Sequence, residues 1–221
     1  NWNWDAYFQR GETDTTVIAR DITNNSRLSM AQDAVVDPGT GDIVCRSTLT
    51  DPGNGCIPFN RMGIGVNSQA AVDYIVGNPY REDHFEQDVF AANISGDLMD
   101  IWAGTVSVAT GFEHRREEVS GYVPEEYQSG WFVGNYKPNF GSYDVTEGYV
   151  EALVPLAEGL NFNGAIRSTD YSTSGLVTTW KAGLTYEPVP DLLFRVTRSR
   201  DIRAPNLAEL FQAGSTRTNN L

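Results

Sequence analysis

The sequence DLLFRVTRSRDIRAPNLAELF, residues 191–211, guides the interpretation of the rest of the chain. Its first half alternates, with one parity holding Leu192, Phe194 and Val196 and the other Leu193, Arg195, Thr197 and Ser199. This two-residue period predicts a β-strand with one apolar face. Pro205 then ends the pattern, because proline has no N–H to donate to a sheet. The stretch therefore predicts a strand that leads into an ordered loop with a compact turn or short helix at 207–211.

The second half of this stretch carries a long and unusual string of residues. After Ser199 and three further positions come Arg203, Ala204, Pro205 and Asn206, and then, after two more, Glu209, Leu210 and Phe211. The resulting pattern, S-x-x-x-RAPN-x-x-ELF, resembles the signature of TonB-dependent outer-membrane receptors. An ordinary strand followed by a helical turn explains the alternation but not the whole string.

This resemblance implies a fold, a function and a set of partners. Receptors of this family have a large β-barrel, commonly of 22 strands, that is plugged by an N-terminal globular domain. They bind scarce nutrients, such as ferric siderophores, cobalamin or oligosaccharides, and import them with energy that TonB transmits. The implied partners are the plug domain of a parent chain, the TonB complex, a nutrient such as a ferric siderophore, and the lipid of a Gram-negative outer membrane, with no cofactor and no metal site. The plug and the TonB-contacting segment are not expected within this chain, which is interpreted as part of a larger receptor.

Composition and charge restrict the possible functions. The chain has 221 residues, with 16 Lys and Arg against 29 Asp and Glu, and its net charge is −13. An acidic chain argues against nucleic acid as a partner, because phosphate binding needs a basic surface. No run approaches 18 uninterrupted apolar residues, so no membrane-spanning helix is expected. The mean hydropathy of −0.35 fits either a soluble protein or an outer-membrane barrel, whose strands alternate in polarity.

The two cysteines, Cys45 and Cys56, lie eleven positions apart in a stretch rich in glycine, proline and aspartate. An isolated pair at this spacing predicts a local disulfide and therefore an oxidising compartment. Two unpaired cysteines in a cytosolic loop are the alternative. A zinc site is not expected, because His84 and His114 are distant in sequence and there is no third cysteine.

Alternation along the rest of the chain predicts seven strands. They are expected at 2–10, 86–95, 98–118, 143–156, 160–171, 175–187 and from 192 onward. A large disulfide-containing extracellular loop is predicted at 11–83 and a second long loop at 119–142, and the short link 172–174 falls at the same end of the strands. Short turns are expected at the other end, at 96–97, 157–159 and 188–190. Short turns at one end of the strands and long loops at the other are typical of outer-membrane barrels.

These patterns favour an all-β fold, an antiparallel transmembrane β-barrel segment of about seven strands. The strands are longer than the five or six residues typical of globular sheets. Arg167, Lys181 and Arg195 also lie opposite the apolar rows, as expected for charges that avoid lipid. A half-exposed β-sandwich also places its charges outward, so the length argument is the stronger one. Seven strands do not close a barrel, since single-chain bacterial barrels have even strand numbers.

The candidate ligand contacts are Trp131 and Tyr136 in the second long loop, and Arg115, Arg167 and Arg195 on the lumenal side. Aromatic faces supply contact area at low entropic cost, and arginines attract anions. Alternatives stay open for both groups. The aromatic residues pack loop against loop or mark the membrane interface, and the arginines pair with plug carboxylates or with Glu147 and Glu151 across the wall.

An enzymatic function is not expected, because the sequence has no G-x-S-x-G nucleophile elbow, no H-E-x-x-H and no P-loop. The main prediction is a receptor that imports a nutrient across the outer membrane. A passive porin-like channel is the nearest alternative. A soluble surface-binding β-sandwich or adhesin is the alternative from a different class of protein.

Overall fold

The computed structural model describes residues 1–214. These residues form two compact units. The first, called here the sheet unit, comprises Asn1–Thr13, Phe85–Val119 and Phe140–Phe211. The second, the loop unit, comprises Asp14–His84, Ser120–Asn139 and the described residues that follow Phe211.

The chain is built mainly from strands. In order they are β1 Trp2–Ile18, β2 Ile22–Thr23, β3 Ala34–Val36, β4 Ile43–Cys45, β5 Val76–Gly77, β6 Tyr80–Ile101, β7 Gly104–Tyr122, β8 Phe140–Ala157, β9 Leu160–Tyr171, β10 Gly175–Val189 and β11 Leu192–Arg200. The helices are α1 Asn25–Gln32, α2 Gln69–Ile75 and α3 Leu207–Phe211. The seven long strands form one sheet in the order β1-β6-β7-β8-β9-β10-β11. This confirms the predicted all-β fold with seven strands as a segment of a β-barrel.

The register of the sheet keeps odd-numbered residues opposite odd-numbered residues. Glu151 of β8 lies opposite Ala165 of β9, which lies opposite Lys181 of β10, and Lys181 lies opposite Ser199 of β11. Because side chains alternate between the faces of a sheet, all odd positions of these strands share one face. We call the odd-numbered side the polar face and the even-numbered side the apolar face.

One predicted turn is wrong. The chain does not turn at Gly96–Asp97; β6 continues to Ile101, and the turn falls at Trp102–Ala103. Gly96 instead allows β1 to approach closely, because a Cβ at this position would lie 2.7 Å from the ring of Trp2. A glycine inside a strand often marks such a close approach rather than a turn.

The two long loops are shorter than predicted, because the flanking strands extend into them. β1 continues to Ile18 and β6 begins at Tyr80, so the first loop runs over 19–79 rather than 11–83. The second runs over 123–139 rather than 119–142. At 11–18 the side chains of both parities are mainly polar, so the alternation disappears from the sequence although the strand continues. Alternation detects a strand only where its two faces meet different surroundings.

The loop unit contains the short elements. β2 pairs with β5, and β3 pairs with β4. The side chain of Asn24 accepts a hydrogen bond from the backbone N–H of Arg27 and begins α1, and Ser68 begins α2 in the same way. Such caps satisfy backbone donors that a helix leaves unpaired at its start. Among residues 1–214 no helix is long and apolar enough to cross a membrane.

Candidate functional site

The apolar face carries an exposed band of large side chains. Its members with at least 40% of their surface exposed include Trp4, Phe8, Ile94, Leu98, Phe112, Val150, Ile166, Leu184, Phe194 and Val196. Val106 is also an even-numbered residue, but unlike these side chains it is only 9% exposed. A contiguous apolar surface of this kind is typical of a protein that meets lipid or another apolar partner.

Charged side chains replace the apolar ones on the same face towards one end of the strands. On β1 the apolar residues of this face end at Phe8, and the next residue on the face is Arg10. The guanidinium of Arg10 lies 3.0 Å from the carboxylate of Glu86 and 3.3 Å from that of Asp88, both on β6. On β7 the even positions change from Phe112 to charged and polar residues. Because a charge near the membrane centre costs about 2–4 kcal/mol, this change of polarity indicates one edge of the lipid-facing band.

The polar face carries a chain of hydrogen bonds that crosses several strands. The amide of Asn93 donates to the carboxylate of Asp5 at 3.0 Å, and the hydroxyl of Tyr149 donates to the Asn93 side-chain oxygen at 3.0 Å. Gly111 makes this connection possible, because a Cβ there would overlap both Asn93 and the ring of Tyr149. The network therefore joins β1, β6 and β8 through a gap in the side chains of β7.

Two of the predicted ligand-contacting arginines have acidic partners on the polar face. Arg167 lies 3.1 Å from the carboxylate of Glu147, and its guanidinium lies 5.3 Å from the centre of the Tyr149 ring. Arg115 lies 3.2 Å from Glu113 and 3.1 Å from Glu117. The pairing of Arg167 with Glu147 is one of the alternatives that the sequence left open.

Two cavities open along the polar face of the sheet unit. The larger, about 610 Å³, is lined by residues that include Asp97, Glu151, Asn163 and Lys181. The smaller, about 320 Å³, is lined by Glu147, Arg167, Lys181 and Asp201, together with threonine and aromatic side chains. Both cavities thus combine acidic and basic groups with hydrogen-bonding side chains, which suits a polar ligand or a polar protein surface.

Some polar groups on this face have no partner within residues 1–214. The side-chain oxygen of Asn163 is buried and accepts no hydrogen bond. Lys181 and Arg195 form no ion pair with the described residues, and Arg195 is exposed. Buried polar atoms are normally paired in native proteins, so the Asn163 oxygen is an exception to this rule.

Trp131 is buried within the loop unit. It is 4% exposed, its indole N–H donates to the backbone oxygen of Glu126 at 2.7 Å, and its ring packs edge-on against Tyr127. A Cβ at Gly77 would overlap the ring. This placement favours loop-on-loop packing over ligand contact for Trp131.

Tyr136 is more accessible than Trp131. The guanidinium of Arg81 lies 5.5 Å from the centre of its ring, an arrangement that gives a cation–π attraction. Arg81 also pairs with Asp83 at 3.2 Å. Ligand contact by Tyr136 stays a prediction.

The signature residues form a closed local structure around the start of α3. The side chain of Asn206 accepts a hydrogen bond from the N–H of Glu209 at 2.8 Å, and the carboxylate of Glu209 accepts one from the N–H of Asn206 at 3.0 Å. This reciprocal pair is a capping box. Arg203 donates to the other carboxylate oxygen of Glu209. The Arg203 hydrogen bond and that from the Asn206 backbone hold the pKa of Glu209 below its ordinary value.

The apolar members of the signature attach α3 to the polar-face side of the sheet. Leu207 is 8% exposed and belongs to the buried cluster that contains Val119, Tyr143 and Val145, against which Leu210 and Phe211 also pack. A Cβ at Gly141, where φ is +154°, would overlap the ring of Phe211. Thus Ala204 and Pro205 lead the chain into the helix, and the whole signature performs a structural role in this unit.

Cys45 and Cys56 form the predicted disulfide. Cys45 is fully buried at the end of β4. Together with the helix caps of Asn24 and Ser68, the disulfide holds a region that has few long strands.

The fold and its two faces define a wall of an outer-membrane type of β-barrel. The whole chain, residues 1–221, matches the family described as TonB dependent receptor-like, beta-barrel, and the chain belongs to this family. Barrels of this family are receptors and transporters of the Gram-negative outer membrane, with a plug domain and an interaction with TonB. Searches of curated proteins and of solved structures gave no match.

Sequence reasoning missed several residues of the polar face. Asp5, Asn93 and Tyr149 were not candidates, although all three stand at odd positions of alternating strands. The alternation assigns their face, but it does not show that Tyr149 reaches Asn93 across β7. The only indication of that contact in the sequence is the glycine at position 111, which leaves room for it.

Proposed function

We propose that the chain is part of an outer-membrane receptor that binds a scarce nutrient and imports it with TonB-coupled energy. The nutrient class is a ferric siderophore, cobalamin or an oligosaccharide. Family membership supports a receptor in general. The main structural support is the polar face, where two cavities and the charges of Lys181 and Arg195, which form no ion pair with the described residues, are available to a ligand or to a plug domain.

The charge pattern of this face supports a role in binding rather than in catalysis. The cavity that contains Glu147 and Arg167 places acidic and basic groups side by side, and these two residues form an ion pair. Such a surface offers both hydrogen-bond donors and hydrogen-bond acceptors to a hydrophilic ligand. It also suits contact with the surface of a folded plug domain, which the resemblance implies for the parent receptor.

The first test concerns the size and location of the parent protein. An antiserum against this chain is used on fractionated cells of the source bacterium, with samples run boiled and unboiled. We expect a band well above 24.4 kDa, in the outer membrane, that shifts on heating. A soluble band near the mass of the chain would instead favour a soluble surface-binding β-sandwich or adhesin.

The second test separates active import from passive diffusion. A strain that lacks the gene is compared with the parent strain for growth on ferric siderophores, cobalamin and oligosaccharides, each supplied at a limiting concentration. We expect the deletion strain to lose uptake of one nutrient class, and the uptake in the parent strain to stop when the inner-membrane potential is dissipated. Uptake that persists without the potential would identify a porin-like channel.

A further inference from the structure

The loop unit contains a groove that the proposed import function does not use. Its volume is about 790 Å³, within the range of small-molecule sites. One wall is the hairpin of β3 and β4, and the other is the segment 58–68. The lining residues are Gln32, Ala34, Val35, Val36, Ile43, Pro58, Phe59, Asn60, Arg61, Val66, Asn67 and Ser68.

The two walls are covalently and locally fixed to each other. Cys45 ends β4 in the first wall, and its disulfide partner Cys56 lies two residues before Pro58 in the second. The backbone N–H of Phe59 also donates to the carbonyl of Ala31, in α1, at 2.8 Å. A groove whose walls are held in this way loses little conformational entropy when a ligand binds.

The second wall carries a small loop that is closed at its base. Asn60 and Asn67 exchange hydrogen bonds: the N–H of Asn60 donates to the Asn67 side chain at 2.7 Å, and the Asn67 amide donates to the Asn60 carbonyl at 2.8 Å. Between them, Met62 is 82% exposed and Ile64 is fully exposed. Exposed apolar side chains that lie together are typical of a surface that binds an apolar partner.

The groove also has one cation without an acidic partner. Arg61 donates to the side-chain oxygen of Gln32 at 3.4 Å, and it forms no ion pair with any residue in 1–214. Arg46, in the same unit, lies 3.0 Å from the carboxylate of Asp33. The charge of Arg61 is therefore free to pair with an anion, and its planar guanidinium matches an acidic group with two oxygens.

We infer that this groove binds a small amphipathic anion. The apolar body of the ligand lies against Val36, Ile43, Phe59 and Val66, and its acidic head pairs with Arg61. All lining residues of the groove belong to the loop unit, and the proposed binding does not require import. The two proposals are also tested separately, since binding is measured on the purified protein and import is measured in cells. A failure of one proposal therefore leaves the other standing.

The test uses two probes of nearly the same size and shape, one charged and one neutral. The parent receptor that contains this chain is purified in lipid nanodiscs, and the binding of 2-naphthoate and of neutral 2-naphthamide is measured by isothermal titration calorimetry, with empty nanodiscs as the blank. We expect 2-naphthoate to bind at least about fivefold more tightly than 2-naphthamide, since a charge-assisted hydrogen bond adds to the apolar contact. Equal affinities, or no binding of either probe, would overturn the inference.

A matched pair of variants locates the anion. Arg61→Gln is expected to reduce the affinity for 2-naphthoate to that for 2-naphthamide and to leave the amide unaffected. Arg20→Gln removes an exposed arginine of the same unit outside the groove, and we expect no change for either probe. Both positions are exposed, so neither substitution disturbs packing. An unchanged preference for 2-naphthoate in Arg61→Gln would show that the groove does not recognise the charge.

A third variant tests the apolar wall. Ile43 is 69% exposed and lines the groove. Ile43→Asn is expected to weaken 2-naphthoate and 2-naphthamide by the same factor, because both share the apolar body. Reduced binding of the carboxylate alone, or no effect on either probe, would contradict the assigned position of the ligand.

Discussion

The sheet and the irregular segments are stabilised in different ways. Within β8, β9 and β10 most rows repeat one arrangement: Ile166 lies opposite Val150 and Trp180, and the neighbouring rows follow the same register. The loop unit is stabilised instead by individual interactions, such as the Cys45–Cys56 disulfide. The signature segment likewise depends on one capping box and one buried cluster.

This difference decides which substitutions each region tolerates. In the sheet, a change on the polar face removes one contact among many, whereas a charge on the apolar face conflicts with the lipid. In the irregular segments, the removal of one such interaction destabilises the surrounding chain. The following predictions test this difference, and they run from the largest expected effect to the smallest.

Ile166→Arg is expected to have the largest effect. Ile166 is 53% exposed at the centre of the apolar face, and arginine near the middle of the membrane costs about 2–4 kcal/mol. Ala165→Arg, one residue away on the polar face, is the control and is expected to assemble normally. The folded fraction is measured from the heat-dependent shift on gels and from urea titration in lipid vesicles. If the two variants assemble equally well, the assignment of the two faces is wrong.

Removal of the disulfide is expected to destabilise the loop unit without affecting the sheet. Cys45→Ser with Cys56→Ser costs about 2–3 kcal/mol in the chain-entropy model for a loop of this length. The measurement is hydrogen exchange: amides of 19–79 should lose protection, whereas those of β8, β9 and β10 should keep it. A uniform loss of protection in both regions would show that the two are not independent.

Leu207→Ala tests the attachment of α3. Leu207 is 8% exposed within its cluster, and truncation of a buried leucine costs about 2 kcal/mol or more. We expect the amides of 203–211 to exchange faster while those of β9 are unchanged. Ala208→Ser, at an exposed position of the same helix, is the control. Equal behaviour of the two variants would mean that the cluster does not hold the signature segment.

Acid is expected to have the smallest and most local effect. The pKa of Glu209 is lowered in the folded chain by the hydrogen bonds from Arg203 and from the Asn206 backbone. A lowered folded-state pKa gives stability that is present above the ordinary value of about 4.3 and is lost as the pH falls through the folded value. Protection factors of the α3 amides should therefore decrease below about pH 4. Glu209→Gln should remove this pH dependence; a variant that keeps it would exclude Glu209 as its source.

Alternation in the sequence predicts strands better than it predicts turns. Alternation and the positions of turns together predicted seven strands, and the sheet has seven within residues 1–214. The prediction failed at Gly96, where a glycine next to an aspartate resembles a turn but lies within β6. The close approach of Asn1 and Trp2 explains that glycine.

The signature shows a different limit. Its residues could be identified as a string, and Pro205 predicted the break after β11. Its internal hydrogen bonds join residues only three to six positions apart, such as Asn206 and Glu209, and a capping box is recognisable from such spacing. The contacts of Leu207 with Val119 and Tyr143 join residues more than 60 positions apart, and no local pattern predicts them.

The sequence by itself determined the fold class, the number of long strands, the two faces of the sheet, the disulfide and the receptor family. These follow from a period of two, from two neighbouring cysteines and from a rare string, all of which are local. The tertiary structure alone decided that Tyr149 reaches Asn93 across Gly111, that Trp131 is buried, and that Arg61 lines a groove of the loop unit with no ion pair to the described residues. Such contacts depend on which distant residues share a surface, and the sequence pattern does not contain that information.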